Sequence, residues 1–207
     1  MRRPTASDIV ARASEAAFGR PLVSNTLRSM VVEAMVDLAL GDGWTWCSAD
    51  FAGWDFEHAD GTRLEVKQSA ARQTWAAPAR QAPPRFDIAP RTGHWAGPTW
   101  IEGAGRQAHI YVLAHHPLTD ETADHRDPQQ WVFYVVAADM LPAAKSLSLK
   151  GAEALTIAVD YVGLRDMVER VRIVCRGGSP LHRLRRSPEG ADHRPLQRPR
   201  RARRSPG

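Results

Sequence analysis

The chain has only two cysteines in 207 residues, Cys47 and Cys175, and they stand far apart. Neither has the close Cys or His neighbours of a zinc site, and both lie in apolar segments, so they read as reduced core thiols of a cytoplasmic protein. No apolar run is long enough for a membrane-spanning helix, and no membrane partner is expected. The start, Met1-Arg-Arg-Pro4, lacks the apolar stretch of a secretion signal. There is no Gly-x-Ser-x-Gly elbow and no glycine-rich phosphate loop, which removes the commonest serine-hydrolase and nucleotide-binding chemistries. His109, His115, His116 and His125 are close in sequence, but no pair has the i, i+4 spacing of a helical zinc site. They read as surface or strand-end residues.

Charge is unevenly spread. Arg176 to Gly207 holds ten arginines and five prolines against two acids, Glu189 and Asp192, so this stretch carries +8 and the remainder −3. Such a segment buries too little apolar area to offset its ordering entropy and is expected to be disordered. It reads either as a non-specific nucleic-acid arm, whose attraction falls with salt, or as an extension without function. The whole chain is 43% hydrophobic, and the rest, residues 1–175, is long enough for one domain with a core.

What the chain does have is a charged hairpin. Trp54-Asp-Phe-Glu-His-Ala-Asp-Gly-Thr-Arg-Leu-Glu-Val-Lys67 alternates apolar and polar residues on both sides of Asp60-Gly61. A two-residue turn would pair Asp55 with Val66 and mix core with surface. A three-residue loop, Ala59-Asp60-Gly61 with Gly61 left-handed, pairs Phe56 with Leu64 and Asp55 with Glu65. In that register Trp54, Phe56, Leu64 and Val66 share the buried face, and Asp55, Glu57, Arg63, Glu65 and Lys67 share the other. Asp55 and Glu65 are then opposed at roughly 5 Å between Cβ atoms, with Lys67 about 7 Å along the same face. Like charges so placed repel and raise each other's pKa. A Mg²⁺ between them removes the conflict, since it takes oxygen ligands, one or two carboxylates among them. Lys67 would orient an attacking water or stabilise charge developing on a phosphate. An exposed hairpin face with ordinary charges is the plainer alternative.

Glu33 adds a third acid, on a helix over Ser24–Leu40. Ser24 or Asn25 can cap it, Leu27, Met30, Val31, Ala34, Met35 and Leu38 form the apolar stripe, and Gly41 ends it. Other expected elements are a helix over Ser7–Phe18, an edge strand over Trp44–Ser48, buried central strands at His109–Ala114 and Trp131–Val136, one helical turn at Ala138–Leu141, and a closing helix over Tyr161–Val174. Between the hairpin and the central strands, a long loop carries Arg72, Gln73, Trp75, Arg80, Arg85, Arg91, Trp95, Trp100 and Arg106. The arginines there either meet phosphates or are solvated, and the tryptophans either stack on a base or, the preferred reading, cover the sheet edge.

Taken together, Glu33 on a helix, then Asp55, then Glu65-Val66-Lys67 resembles the PD-(D/E)XK nuclease superfamily. More narrowly it looks like a bacterial subgroup with an Asp-Gly turn, Leu-Glu-Val-Lys and a Gln-x-Trp, here Asp60-Gly61, Leu64–Lys67 and Gln73-Thr-Trp75. One departure is Trp54, where the family name places a proline. The resemblance implies an α/β restriction-endonuclease-like fold, a mixed central β-sheet flanked by α-helices. It implies phosphodiester hydrolysis, of DNA in the first instance, with Mg²⁺ (Mn²⁺ may substitute) held by Asp55 and Glu65. Lys67 would be the catalytic lysine, Glu33 an assisting acid, and Gln68, Arg72 and Gln73 substrate contacts. Many such enzymes act as homodimers. The alternative is a nuclease fold without catalysis that binds nucleic acid or serves as a scaffold.

Overall fold

A computed structural model describes residues 2–47, 53–75, 83–96 and 99–177. Ser48, Arg80 and the Arg/Pro-rich tail beyond Gly177 lie outside the described residues, so the expectations placed on them are not addressed.

Helix α1 (Ala6–Phe18) opens with a reciprocal cap. The Thr5 side chain accepts from the Asp8 N–H, and Asp8 accepts from the Thr5 N–H. Helix α2 (Asn25–Leu40) ends at Gly41, whose φ of 63° no β-carbon would welcome. Then come strands β1 (Trp44–Trp46), β2 (Phe56–His58) and β3 (Arg63–Ala70), the short β4 (Arg85–Asp87), and the pair β5 (Arg91–Ala96) and β6 (Thr99–Gly105). Strands β7 (Ile110–His116), β8 (Val132–Ala137) and β9 (Ser146–Ser148) and helices α3 (Leu149–Leu155) and α4 (Leu164–Gly177) complete the chain up to Gly177. Single 3₁₀ turns precede and follow β8. No helix among the described residues is long and apolar enough to cross a membrane.

The central sheet is mixed, in the order β1-β2-β3-β7-β8, and only the β3–β7 pair is parallel. Both its faces are covered, which is why β7 and β8 read as continuous apolar runs. On one face α2 and α4 bring Val32, Met35, Val36, Leu40, Leu164 and Val168 onto Phe56, Leu64, Val66, Ile110 and Phe133. On the other, β4, β9 and α3 bring Phe86, Leu147 and Ala152 onto Tyr111, Leu113 and Tyr134. Fully burying one such side chain as Phe56 or Leu64 stabilises the fold by about 2–3 kcal/mol.

The structure corrects several expectations. The buried stripe of α2 runs through Arg28, Val32, Met35, Val36 and Leu40, while Met30 and Leu38 are exposed. The helix is rotated because Arg28 goes inward. Neither Ser24 nor Asn25 caps it by side chain: Ser24 makes no such bond and the Asn25 oxygen accepts from Arg28. Strand β8 is at the sheet's edge, not its centre; the chain at Val159 bridges to Phe133 and covers it. The long loop contains a hairpin, β5–β6, and β4, whose short exposed segments carry no clear apolar period. His115, His116 and His125 are buried, not on the surface. His116 and His125 pack edge-on with Trp131.

Candidate active site

The β2–β3 hairpin has the expected three-residue loop. Phe56 pairs with Leu64 and Glu57 with Arg63, and the His58 N–H donates to the Thr62 carbonyl at 2.8 Å. Gly61 sits at φ 83°, the left-handed region that a β-carbon disfavours. Asp60, one residue earlier, accepts from the Thr62 N–H at 2.9 Å and pairs with Arg172 and Arg176 of α4, which anchors the loop to that helix.

Regular pairing stops one residue before Phe56. The Val66 N–H, which a continuing strand would have bonded to a carbonyl, instead donates to Asp55 Oδ2 at 2.6 Å. That bond turns the Asp55 carboxylate toward β3. It also sends Trp54 to the face opposite Phe56, contrary to the shared face read from alternation. There Trp54 carries the Arg63 guanidinium 3.7 Å from its ring centre and packs against His94.

Glu65 and Lys67 project from β3 on the face of their register neighbours Tyr111 and Leu113. The Lys67 ammonium donates to Glu65 Oε1. Glu33 comes from α2, its Oε2 accepting from Trp46 Nε1 at 3.0 Å; the Trp46 ring in turn stacks on Phe56 at 6.0 Å. One oxygen of each carboxylate is therefore committed. Asp55 Oδ1, Glu65 Oε2 and Glu33 Oε1 make no hydrogen bond among the described residues.

These groups feel one another. Burial raises the Asp55 pKa most; the Val66 N–H opposes this, the Glu33 charge adds to it and Lys67 lowers it. Burial likewise raises Glu65, the Asp55 charge raises it further, and Lys67 opposes both. Glu33 is raised by burial and by Glu65, against the Trp46 N–H and Lys67. Three carboxylates around one ammonium leave an excess of buried negative charge, the condition that favours a bound cation. Among the described residues no three His, Cys, Asp or Glu side chains stand in ligating geometry. Magnesium takes one or two carboxylates at most sites of this kind and completes its shell with water and phosphate oxygens, and Asp55 and Glu65 supply that number.

The three expected substrate contacts are engaged elsewhere. Gln68, on the opposite side of β3 from Lys67, accepts from Arg28 Nε at 2.7 Å, and Gln73 accepts from Arg28 at 3.0 Å. Arg72 bonds the Asp120 carbonyl and Glu121, and its own carbonyl accepts from His125. Arg106 is spent on the carbonyls of Ile88 and Pro142.

Arg28 is the residue that sequence reasoning missed. It is 1% exposed, and among the described residues its guanidinium donates only to amide oxygens, those of Gln68, Gln73 and Asn25. Burial pushes its pKa down to about 10. By tying α2 to the end of β3, Arg28 sets where Glu33 stands relative to Glu65. The available signal was the pair Gln68 and Gln73 just past the Glu-x-Lys strand, two amides able to satisfy a buried cation.

No protein-family model matches the chain, and no curated protein matches it.

Proposed function

We propose that the protein is a metal-dependent nuclease that hydrolyses phosphodiester bonds, with DNA as the first substrate to test. The single observation that carries this reading is the meeting of Asp55, Glu65 and Lys67 at one point of the sheet, with Glu33 electrostatically coupled to them.

Asp55 Oδ1 and Glu65 Oε2 would hold a magnesium ion, which when bound neutralises phosphate charge and lowers the pKa of water. The chain's own residues supply the rest. Val66 N–H fixes Asp55, so its free oxygen is preorganised and not a mobile rotamer. Lys67, restrained by Glu65, presents the ammonium that stabilises charge accumulating on the phosphate oxygens. Glu33, steadied by Trp46, offers Oε1 to water at the rim of the site. Catalysis by such a site is mostly positioning and electrostatics, which these restrained side chains suit.

The test is cleavage of plasmid and single-stranded circular DNA by the purified chain with Mg²⁺ or Mn²⁺, beside Lys67→Ala and Asp55→Ala. The wild type should cut and both variants should lose activity with unchanged circular dichroism. Equal cutting by all three would identify a contaminant. Binding without cutting would leave the alternative, a nuclease-like scaffold that only holds nucleic acid.

A further inference from the structure

Beside Glu65 lies a cleft of 310 Å³ whose other walls come from the β5–β6 hairpin and β7. Its floor is Glu65 and Tyr111, register neighbours on β3 and β7. Its sides are Trp95 and Trp100, which meet edge to face at 5.5 Å, together with His94; Arg91 lines it as well. Both tryptophans are 42% exposed, so they do not simply seal the sheet edge. The arrangement is built into the backbone. Trp95 is the register partner of Trp100, and a β-carbon at Gly93 would clash with the Ile101 carbonyl oxygen and come 2.6 Å from Trp100 Cζ2. Two polar groups in the cleft are unspent. His94 Nδ1 is buried without a hydrogen-bond partner, and Tyr111, 5% exposed, makes no hydrogen bond through its hydroxyl among the described residues.

We infer that this cleft receives one unpaired nucleobase next to the scissile phosphate, so that the substrate is single-stranded nucleic acid or the frayed end of a duplex. This rests on the nuclease reading, because Glu65 belongs both to the cleft and to the phosphate site. A base offers flat π-faces to indole rings and a polar edge to Tyr111 and His94. Its phosphate neighbours suit Arg91, whose side chain is 58% exposed and pairs with Asp87 only loosely, at 3.4 Å. A base within a duplex is stacked and paired and cannot enter a cleft of this size. Stacking on an aromatic side chain is also tolerant of base identity, so the cleft selects strandedness and not sequence.

The experiment is fluorescence anisotropy with the full chain in a chelator, using a labelled oligothymidylate of about twelve residues and a blunt hairpin duplex of the same length. The full chain is used, and the ratio of the two affinities is the readout, so that any attraction common to both probes cancels. The wild type should prefer the single strand. Trp100→Ala should weaken oligothymidylate binding roughly ten-fold, the size of one lost stacking contact, while leaving the duplex affinity unchanged, and Trp100→Phe should retain most of the preference. Equal or tighter binding of the duplex, or no change in Trp100→Ala with native circular dichroism, overturns the inference. Trp95→Ala decides in the same way should Trp100→Ala fail to fold. Binding here requires no metal and no turnover. Loss of cleavage with a retained single-strand preference would count against the nuclease reading alone. Cleavage of both probes without any Trp100 effect would count against the cleft alone.

Discussion

Replacing Glu65 by glutamine in the metal-free protein should make it more stable, and only at high pH. The Glu65 carboxyl is raised in pKa by burial and by the nearby Asp55 charge, against the opposing Lys67 ammonium. A carboxyl raised in this way binds its proton more tightly folded than unfolded. Its stabilising effect is complete below the unfolded pKa and is lost as pH rises through the folded one. The Glu65 pKa is pushed up from 4.5 to about 7, a displacement equivalent to about 3 kcal/mol. Glutamine stands in for the protonated carboxyl, and the Lys67 attraction is already contained in that displacement, so the net gain near pH 8 is about 3 kcal/mol, or roughly 6–12 °C in Tm for a chain of this size. Near pH 4, where Glu65 is protonated in the wild type too, the gain should vanish. Thermal melts of both proteins across this range, in chelator, measure it, and taking the difference at each pH cancels the histidines. Magnesium should narrow the gap: at ten times its Kd it stabilises the wild type by about 1.4 kcal/mol and Glu65→Gln much less. A variant that is less stable at every pH, or an equal magnesium response in both proteins, would refute the placement of Glu65 beside Asp55.

Three further outcomes are expected. Arg28→Met should lower stability by about 2 kcal/mol, because the oxygens of Gln68, Gln73 and Asn25 lose their donor in a buried place; a chemical denaturation midpoint equal to or above wild type would show that relief of the buried charge dominates. Gly61→Ala should cost about 1 kcal/mol, since no atom lies within 4 Å of a β-carbon there and only the left-handed backbone resists; Gly61→Asn should cost less, and both are read from equilibrium unfolding. His125 is held neutral, its Nδ1 accepting from the Val23 N–H and its Nε2 donating to the Arg72 carbonyl, and burial brings its pKa from 6.5 down to about 4. Folded protein therefore excludes a proton that the unfolded chain takes up, so this contribution is full above pH 6.5 and is lost as pH falls toward 4; His125→Gln should flatten the acid limb of the stability profile, and an unchanged limb would contradict it.

Local chemistry made the hairpin legible. Apolar alternation on both sides of Asp60-Gly61 and a left-handed glycine leave one register that buries Phe56, Leu64 and Val66 together, but the expected pairing of Asp55 with Glu65 does not form, and Asp55 meets β3 through its carboxylate on the Val66 N–H. Where a strand begins is not local information. Alternation carried Trp54 onto the Phe56 face, but the Asp55 carboxylate replaced a ladder carbonyl at Val66 and the chain turned before reaching it. In α2 the apolar residues lie nearly all round the helix, so periodicity could not choose among faces. The choice fell to Arg28, whose partners Gln68 and Gln73 are 40 and 45 residues distant.

The sequence by itself determined the three-residue turn and the register that sets Phe56 against Leu64, because turn geometry and alternating burial act over a few residues. Only the tertiary structure decided that Glu33 joins Asp55 and Glu65, that Gln68, Arg72 and Gln73 serve the scaffold, and that Trp95 and Trp100 flank a cleft at Glu65. Those outcomes depend on which distant groups can satisfy a buried cation, a buried imidazole or an unpaired strand edge, and such partners meet only when the layers of the fold close upon one another.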